Sequence, residues 1–291
     1  MLGIVGDLVE DVIVWLGEPI RHGTDTDVEI FHTRGGSAAN VAAFATRLGP
    51  TRFIGCVGED ALGESLVKGL AGDGIDVRVQ RRGTTGTIVI LIDQDGERTM
   101  LPYRGAATLL QDVPDEWLDG LELLHVPGYT FNGDPVGQAV TELIRRARQR
   151  GILVSVDASS TGMLEHYGVD RFLALMAELA PEFIIGNQSE SEFLGLCTKG
   201  DAGPNLGMLP GTIVVTKAGA DPTVVLGGPA GKITVPVPPV TDVRDLTGAG
   251  DAFAAGFLSK YLATRDLESA CVGGHANAAL VLSSPGASMQ H

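Results

Sequence analysis

Cysteine is scarce in this sequence: Cys56, Cys197 and Cys271 are far apart, odd in number and outside any CxxC spacing. Such a set supports neither a disulfide framework nor a zinc site, so reduced thiols are expected. Basic residues are also few. Against 36 Asp and Glu stand only 21 Lys and Arg, a formal charge of −15 that excludes a long basic face for nucleic acid or an anionic membrane. No apolar run approaches the ~18 residues of a membrane span. The start at Leu2-Gly-Ile-Val-Gly has no basic n-region or cleavage site. A soluble, cytoplasmic protein is the expectation. Two common phosphate loops, GxxxxGK[ST] and a strand-placed GxGxxG, are missing as well. Any phosphate bound here must therefore be held by other backbone donors, a helix N-terminus and a metal ion.

What is present is an ordinary globular composition with an unusual amount of glycine, 40 of 291 residues, gathered at strand-to-helix junctions. Short β-branched runs such as Thr51 to Gly55, Leu123 to Val126, Ile152 to Asp157, Phe183 to Gly186 and Ile213 to Thr216 are expected to be strands. Longer stretches between them, including Ala38 to Leu48, Gly63 to Gly72, Pro135 to Gln149 and Phe172 to Ala180, are expected to be helices, and a helical half follows Thr216. This alternation predicts one α/β domain over residues 1–291, a central mostly parallel sheet with helices on both faces. Residues 10–34 and 84–104 break the rhythm with antiparallel-strand patterning. In the second, Asp93-Gln-Asp-Gly96 reads as a hairpin turn. Together they predict a small β-sheet lid over the carboxyl ends of the parallel strands, and a surface on which two copies could form a homodimer.

Near the C-terminus, Asp245-Leu-Thr-Gly248-Ala249-Gly250-Asp251 runs into the apolar segment Ala-Phe-Ala-Ala-Gly-Phe-Leu. Two glycines permit close backbone approach, the helix N-terminus offers amides to an anion, and a carboxylate beside them can take a proton from a hydroxyl. A helix cap accounts for Asp251 equally well on local grounds. Early in the chain, Gly35-Gly36-Ser-Ala-Ala-Asn40 places a flexible turn ahead of a helix with Asn40 in its first turns. Asn187-Gln-Ser-Glu190 follows a strand, and Glu192 is an alternative carboxylate two residues on.

These segments resemble the two signatures of the ribokinase/PfkB family of carbohydrate and nucleoside kinases. The resemblance extends to Gly55-Cys-Val-Gly58-Glu-Asp60-Ala-Leu-Gly63 and covers nearly the whole chain. It implies a ribokinase-like fold and ATP-dependent phosphorylation of a small hydroxylated molecule. Asp251 would be the general base, with Gly248, Ala249 and Gly250 forming the anion loop. It implies that Asp11, Gly35, Gly36 and Asn40 contact substrate. Asn187 and Glu190 would organise Mg²⁺, with Glu190 acting through water. Thr216, Lys217 and Gly219 would face the ATP phosphates and ribose, and Asn277, beside a structural His275, would line the adenine pocket. Asp245 matches a position that helps hold a monovalent cation in several members, although Leu246 departs from the usual small polar neighbour and weakens a K⁺ site.

The substrate is expected to be a sugar or sugar derivative. Tyr103-Arg104 resembles a pair in the family's 2-keto-3-deoxygluconate kinases, so Arg104 could favour a carboxylate or phosphate substituent, or instead form an ion pair on the lid. A nucleoside kinase is the alternative, with Trp15, Phe31 and Tyr103 as candidate stacking aromatics, and a catalytically weak sensor is the second.

Overall fold

The computed structural model describes residues 1–229, 231–240, 243 and 246–282. The chain opens with β1 (Leu2–Val5), adds β2 (Val9–Leu16) and β3 (Val28–Gly35), and passes through helix α1 (Ser37–Ala45) to β4 (Thr51–Val57). Helix α2 (Ala61–Gly72) leads to β5 (Asp76–Arg81), followed by β6 (Thr85–Ile92) and β7 (Arg98–Gly105). Next come β8 (Leu123–Pro127), α3 (Val136–Gln149), β9 (Leu153–Asp157), α4 (Thr161–Tyr167), α5 (Val169–Leu179), β10 (Phe183–Asn187) and α6 (Gln188–Phe193). A short ribbon, β11 (Cys197–Thr198) with β12 (Asp201–Ala202), precedes β13 (Ile213–Ala218), β14 (Asp221–Gly227) and β15 (Lys232–Val235). Helices α7 (Ala249–Thr264) and α8 (Leu267–Leu282) follow.

Nine strands form the main sheet in the order β15-β14-β13-β10-β9-β8-β1-β4-β5. The seven from β13 to β5 are parallel, and side chains alternate between two cores. Val5, Ile54, Ile184 and Val214 enter the core under α3 and α5, whereas Ile4, Phe53, Ile185 and Val215 enter the one under α1, α7 and α8. Both faces are thus covered over the central strands, which is why these read as largely apolar runs, whereas the edge strand β5, Asp76–Arg81, is of mixed polarity. From β1 the chain proceeds outward to β4 and β5, and from β8 it proceeds the other way. This makes the β1/β8 boundary the topological switch point, where open α/β sheets bind ligands.

The helical half expected after Thr216 begins later than the sequence pattern indicates. Asp221–Gly227 and Lys232–Val235 instead add an antiparallel edge, β13-β14-β15. The alternation Thr223, Val225 inward and Val224 half-buried is a strand signal that a short, turn-bounded run obscures.

The lid is a four-stranded sheet, β3-β2-β6-β7, assembled from two separated segments of the chain. Its two hairpin-like pairs are antiparallel, but β2 and β6, which join them, are parallel. That pairing follows from topology: both strands leave the main sheet in the same direction. Pro102 falls on the edge strand β7, the position a residue lacking N–H tolerates. No described helix is long and apolar enough to cross a membrane.

Candidate active site

A cleft of about 1510 Å³ opens beneath the lid, large for a single small ligand and sufficient for two side by side. Its floor is built by residues at or just beyond the carboxyl ends of parallel strands: Asp7 after β1, Tyr129 after β8, Asp157 ending β9, Asn187 ending β10 and Lys217 in β13. Ile88, Ile90, Met100 and Pro102 form the roof from the lid.

Asp251 lies at the centre, in the first turn of α7. Gly248 caps that helix in the left-handed conformation, φ 78°, which glycine adopts without strain. The first-turn amides have no partner within the helix and turn their partial positive charge toward the cleft. Two side chains of α1 hold the Asp251 carboxylate: Ser37 Oγ donates to Oδ1 at 2.7 Å, and Asn40 Nδ2 donates to Oδ2 at 3.1 Å. Burial pushes the Asp251 carboxyl up to about 6 against the restraint of those two hydrogen bonds, and the negative charge of Asp157 adds to the rise. This places the group in the range suited to a general base near neutral pH.

Toward the lid stands Asp11, whose carboxyl is also pushed up to about 6, by burial first and then by the charge of Asp251. It rests on Gly35 so closely that a Cβ there would lie 1.9 Å from Oδ1. Gly36 is as crowded, since a Cβ would meet the Asp7 carbonyl at 2.3 Å, and its φ of 96° also favours glycine. Asp11 Oδ1 and Asn40 Oδ1 are buried oxygens without a hydrogen-bond partner. Arg104 forms a bidentate ion pair with Asp7, Nε to Oδ2 at 2.6 Å and Nη2 to Oδ1 at 2.8 Å.

At the other end of the cleft, Lys217 Nζ lies 3.4 Å from Asp157 Oδ2 and beside Gly250, where an added Cβ would stand 3.4 Å from the ammonium. A lysine and a helix N-terminus therefore converge on one anion-sized place. Asn187 and Glu190 form a reciprocal capping box at the start of α6: Asn187 Oδ1 accepts from Glu190 N at 2.9 Å, and Glu190 Oε2 accepts from Asn187 N at 2.8 Å. Burial, with the charge of Asp157, pushes the Glu190 carboxyl above its usual range. Glu190 and Asp157 thus bring two carboxylates to the same end of the cleft.

The structure thus gathers Asp11, Gly36, Asn40, Arg104, Asn187, Glu190, Lys217, Gly219, Gly248, Ala249, Gly250 and Asp251 around one cleft. Gly35 stands behind Asp11. Thr216 turns away and bonds Ser191 Oγ at 3.0 Å, and Asn277 donates to the Ala252 carbonyl of α7 at 2.7 Å instead of lining the cleft. His275 is held by Thr223 at 2.8 Å, as befits a structural histidine. Asp245 lies outside the described residues. Asp7, Ser37 and Asp157 also line the cleft, and none of them stands out in the sequence as a site residue. The sequence signal for Asp157 is an acid ending a β-branched parallel strand. Ser37 and Asp7 carry no pattern of their own, and only the fold brings them here.

A model of the pfkB family of carbohydrate kinases matches residues 9–290. An aminoimidazole riboside kinase of Salmonella typhimurium is 31% identical over 234 residues, 77% of this chain and 72% of that protein. A fructokinase of Klebsiella pneumoniae is 29% identical over 279 residues, 88% of this chain and 82% of that one. An adenosine kinase structure from Sinorhizobium meliloti superposes with a TM-score of 0.85 at 25% identity, covering 98% of this chain and 94% of that chain. With the family model spanning the lid, the cleft and the helix bearing Asp251, the chain belongs to the pfkB family of carbohydrate kinases, phosphotransferases that use ATP to phosphorylate sugars or nucleosides.

Proposed function

We propose that the protein transfers the γ-phosphoryl group of ATP to a hydroxyl of a small sugar or sugar derivative, with Asp251 as general base. The observation that carries this reading is the Asp251 carboxylate, half-buried in the cleft, clamped by Ser37 and Asn40 and set in the turn whose amides face the same space. The acceptor hydroxyl gives its proton to Asp251 as its oxygen attacks the γ-phosphorus, and the bond from that phosphorus to the ADP oxygen breaks. Lys217 and the amides of Gly250 and Asp251 hold the charge on the transferring group. Glu190 and Asp157 would hold Mg²⁺, which would supply charge neutralisation to the nucleotide phosphates. Asn187 fixes the Glu190 carboxylate for that purpose, with Nδ2 to Oε1 at 2.7 Å. Asp11 and Asn40 orient the acceptor. Each has an oxygen that the protein leaves unpaired, which suits a ligand with several O–H donors.

The apolar roof of Ile88, Ile90, Met100 and Pro102 favours a second reading, in which the acceptor carries a flat base and is a nucleoside. ADP release measured with free sugars and nucleosides in the presence of Mg²⁺, with and without K⁺, separates the two. Turnover with sugars supports the first reading, turnover confined to nucleosides the second, and ligand binding without turnover throughout contradicts both.

We also infer a homodimer formed through the lid. Its outer face presents Val28, Ile30, Leu101 and Tyr103, each 39% exposed or more and aligned by strand register. A patch of that kind on a sheet is characteristic of an interface.

A further inference from the structure

The acceptor end of the cleft contains a charge pair whose geometry bears on which acceptors can enter. Arg104 stands where β7 leaves the lid, and Asp7 in the turn after β1. Their bidentate contact is the arrangement a substrate carboxylate would adopt with a guanidinium, and here the protein supplies the carboxylate itself. A third N–H, from Nη1, donates to the Asn132 carbonyl at 3.0 Å. Both side chains are largely buried, 18% and 12% exposed, so the pair is only partly screened by water.

We propose that Asp7 sets the charge selectivity of the acceptor site, closing the anion-binding edge of Arg104 so that the protein phosphorylates uncharged polyols or nucleosides and rejects sugar acids and sugar phosphates. The proposal rests on the phosphotransfer reading above. Among the described residues, five carboxylates line the cleft, Asp7, Asp11, Asp157, Glu190 and Asp251, against two strong cations. Both cations face carboxylates already, Arg104 with Asp7 and Lys217 with Asp157. An anionic acceptor seated beside Asp251 would meet Asp11 and Asp7 with no further described cation of the cleft to answer it, and like charges so placed are strongly disfavoured. A neutral hydroxyl meets no such penalty. It can accept from a remaining guanidinium N–H or donate to a remaining carboxylate lone pair.

The test is steady-state kinetics by ADP release on matched acceptors: fructose with fructose 6-phosphate, glucose with gluconate, ribose with ribonate, and adenosine. Wild type, Asp7→Asn and Asp7→Asn/Arg104→Gln are compared, with melting curves for each. In whichever pair reacts, the wild type should favour the neutral member by at least ~10-fold in kcat/KM. Asp7→Asn keeps an oxygen for Arg104 but removes the charge. It should shift the neutral-to-anionic ratio by ~10-fold or more toward the anion, chiefly through KM, and the added Arg104→Gln should cancel the shift. Wild-type preference for anionic acceptors would overturn the proposal without recourse to any variant, and so would an unchanged ratio in an Asp7→Asn protein that melts normally. Failure of every acceptor to elicit ADP release would sink the phosphotransfer reading, and this proposal with it.

Discussion

At the scale of the residue, the proposed mechanism depends on a carboxylate that is costly to ionise. Raising the Asp251 carboxyl to about 6 corresponds to on the order of 3 kcal/mol of disfavoured ionisation. The base acts when deprotonated, so kcat/KM is expected to fall as pH drops below about 6, with Asp11 titrating in the same range and the two contributing jointly to the acidic limb. A pH profile that is flat down to pH 5 would contradict this. Stability runs the other way. Both folded-state values lie above those of the unfolded chain, so the contribution of these groups is fully present below about pH 4 and is lost as pH rises through about 6. Asp251→Asn, which removes the buried charge, should therefore melt a few degrees higher than wild type at pH 8, as read by calorimetry. Asp251 was legible in the sequence because its glycines and the following apolar helix form a contiguous pattern. The clamp on it was not, since Ser37 and Asp251 are 214 positions apart and only the fold brings them to 2.7 Å.

At the scale of the element, α7 and α8 place Asp251, the proposed base. Phe253 stacks on Phe257 with ring centroids 6.0 Å apart, and the two helices approach so closely at Gly256 that a Cβ there would lie 2.4 Å from the Gly273 carbonyl. Backbone cannot yield as a flexible side chain can. Gly256→Ala gains up to about 1 kcal/mol of helix propensity but loses about 1–3 kcal/mol to overpacking. It is therefore expected to lower the melting temperature and, by displacing the start of α7, to reduce kcat. A variant more stable than wild type would refute the close packing. Asn277 belongs to the same device, since its bond to the Ala252 carbonyl ties α8 to the residue after the base. Sequence patterning locates the long helices and the central parallel strands well, because both sheet faces are buried there and the runs are largely apolar. It misses the edge strands of mixed polarity, β5 at one end of the sheet and β14 and β15 at the other, and it does not foresee the parallel pairing of β2 with β6, which only the path of the whole chain determines.

At the scale of the molecule, one end of a parallel sheet and a lid of distant segments enclose a cleft that spans the switch point between β1 and β8. The lid's inner face roofs that cleft, and its outer face is apolar and exposed. Leu101→Glu, placed on the outer face, should convert a dimer to a monomer in sedimentation velocity at micromolar concentration. A wild type that is monomeric there would remove the inferred interface. In the proposed mechanism, Lys217 and the α7 amides would supply the local positive potential that a chain of net charge −15 lacks elsewhere. The most direct test of the whole account is turnover by Asp251→Asn, measured together with ATP binding by calorimetry on an accepted acceptor. We predict a loss of ~10²–10⁴-fold in kcat with ATP affinity broadly retained. Near-native turnover by a correctly folded Asp251→Asn protein would contradict the assignment of the base, and with it the mechanism.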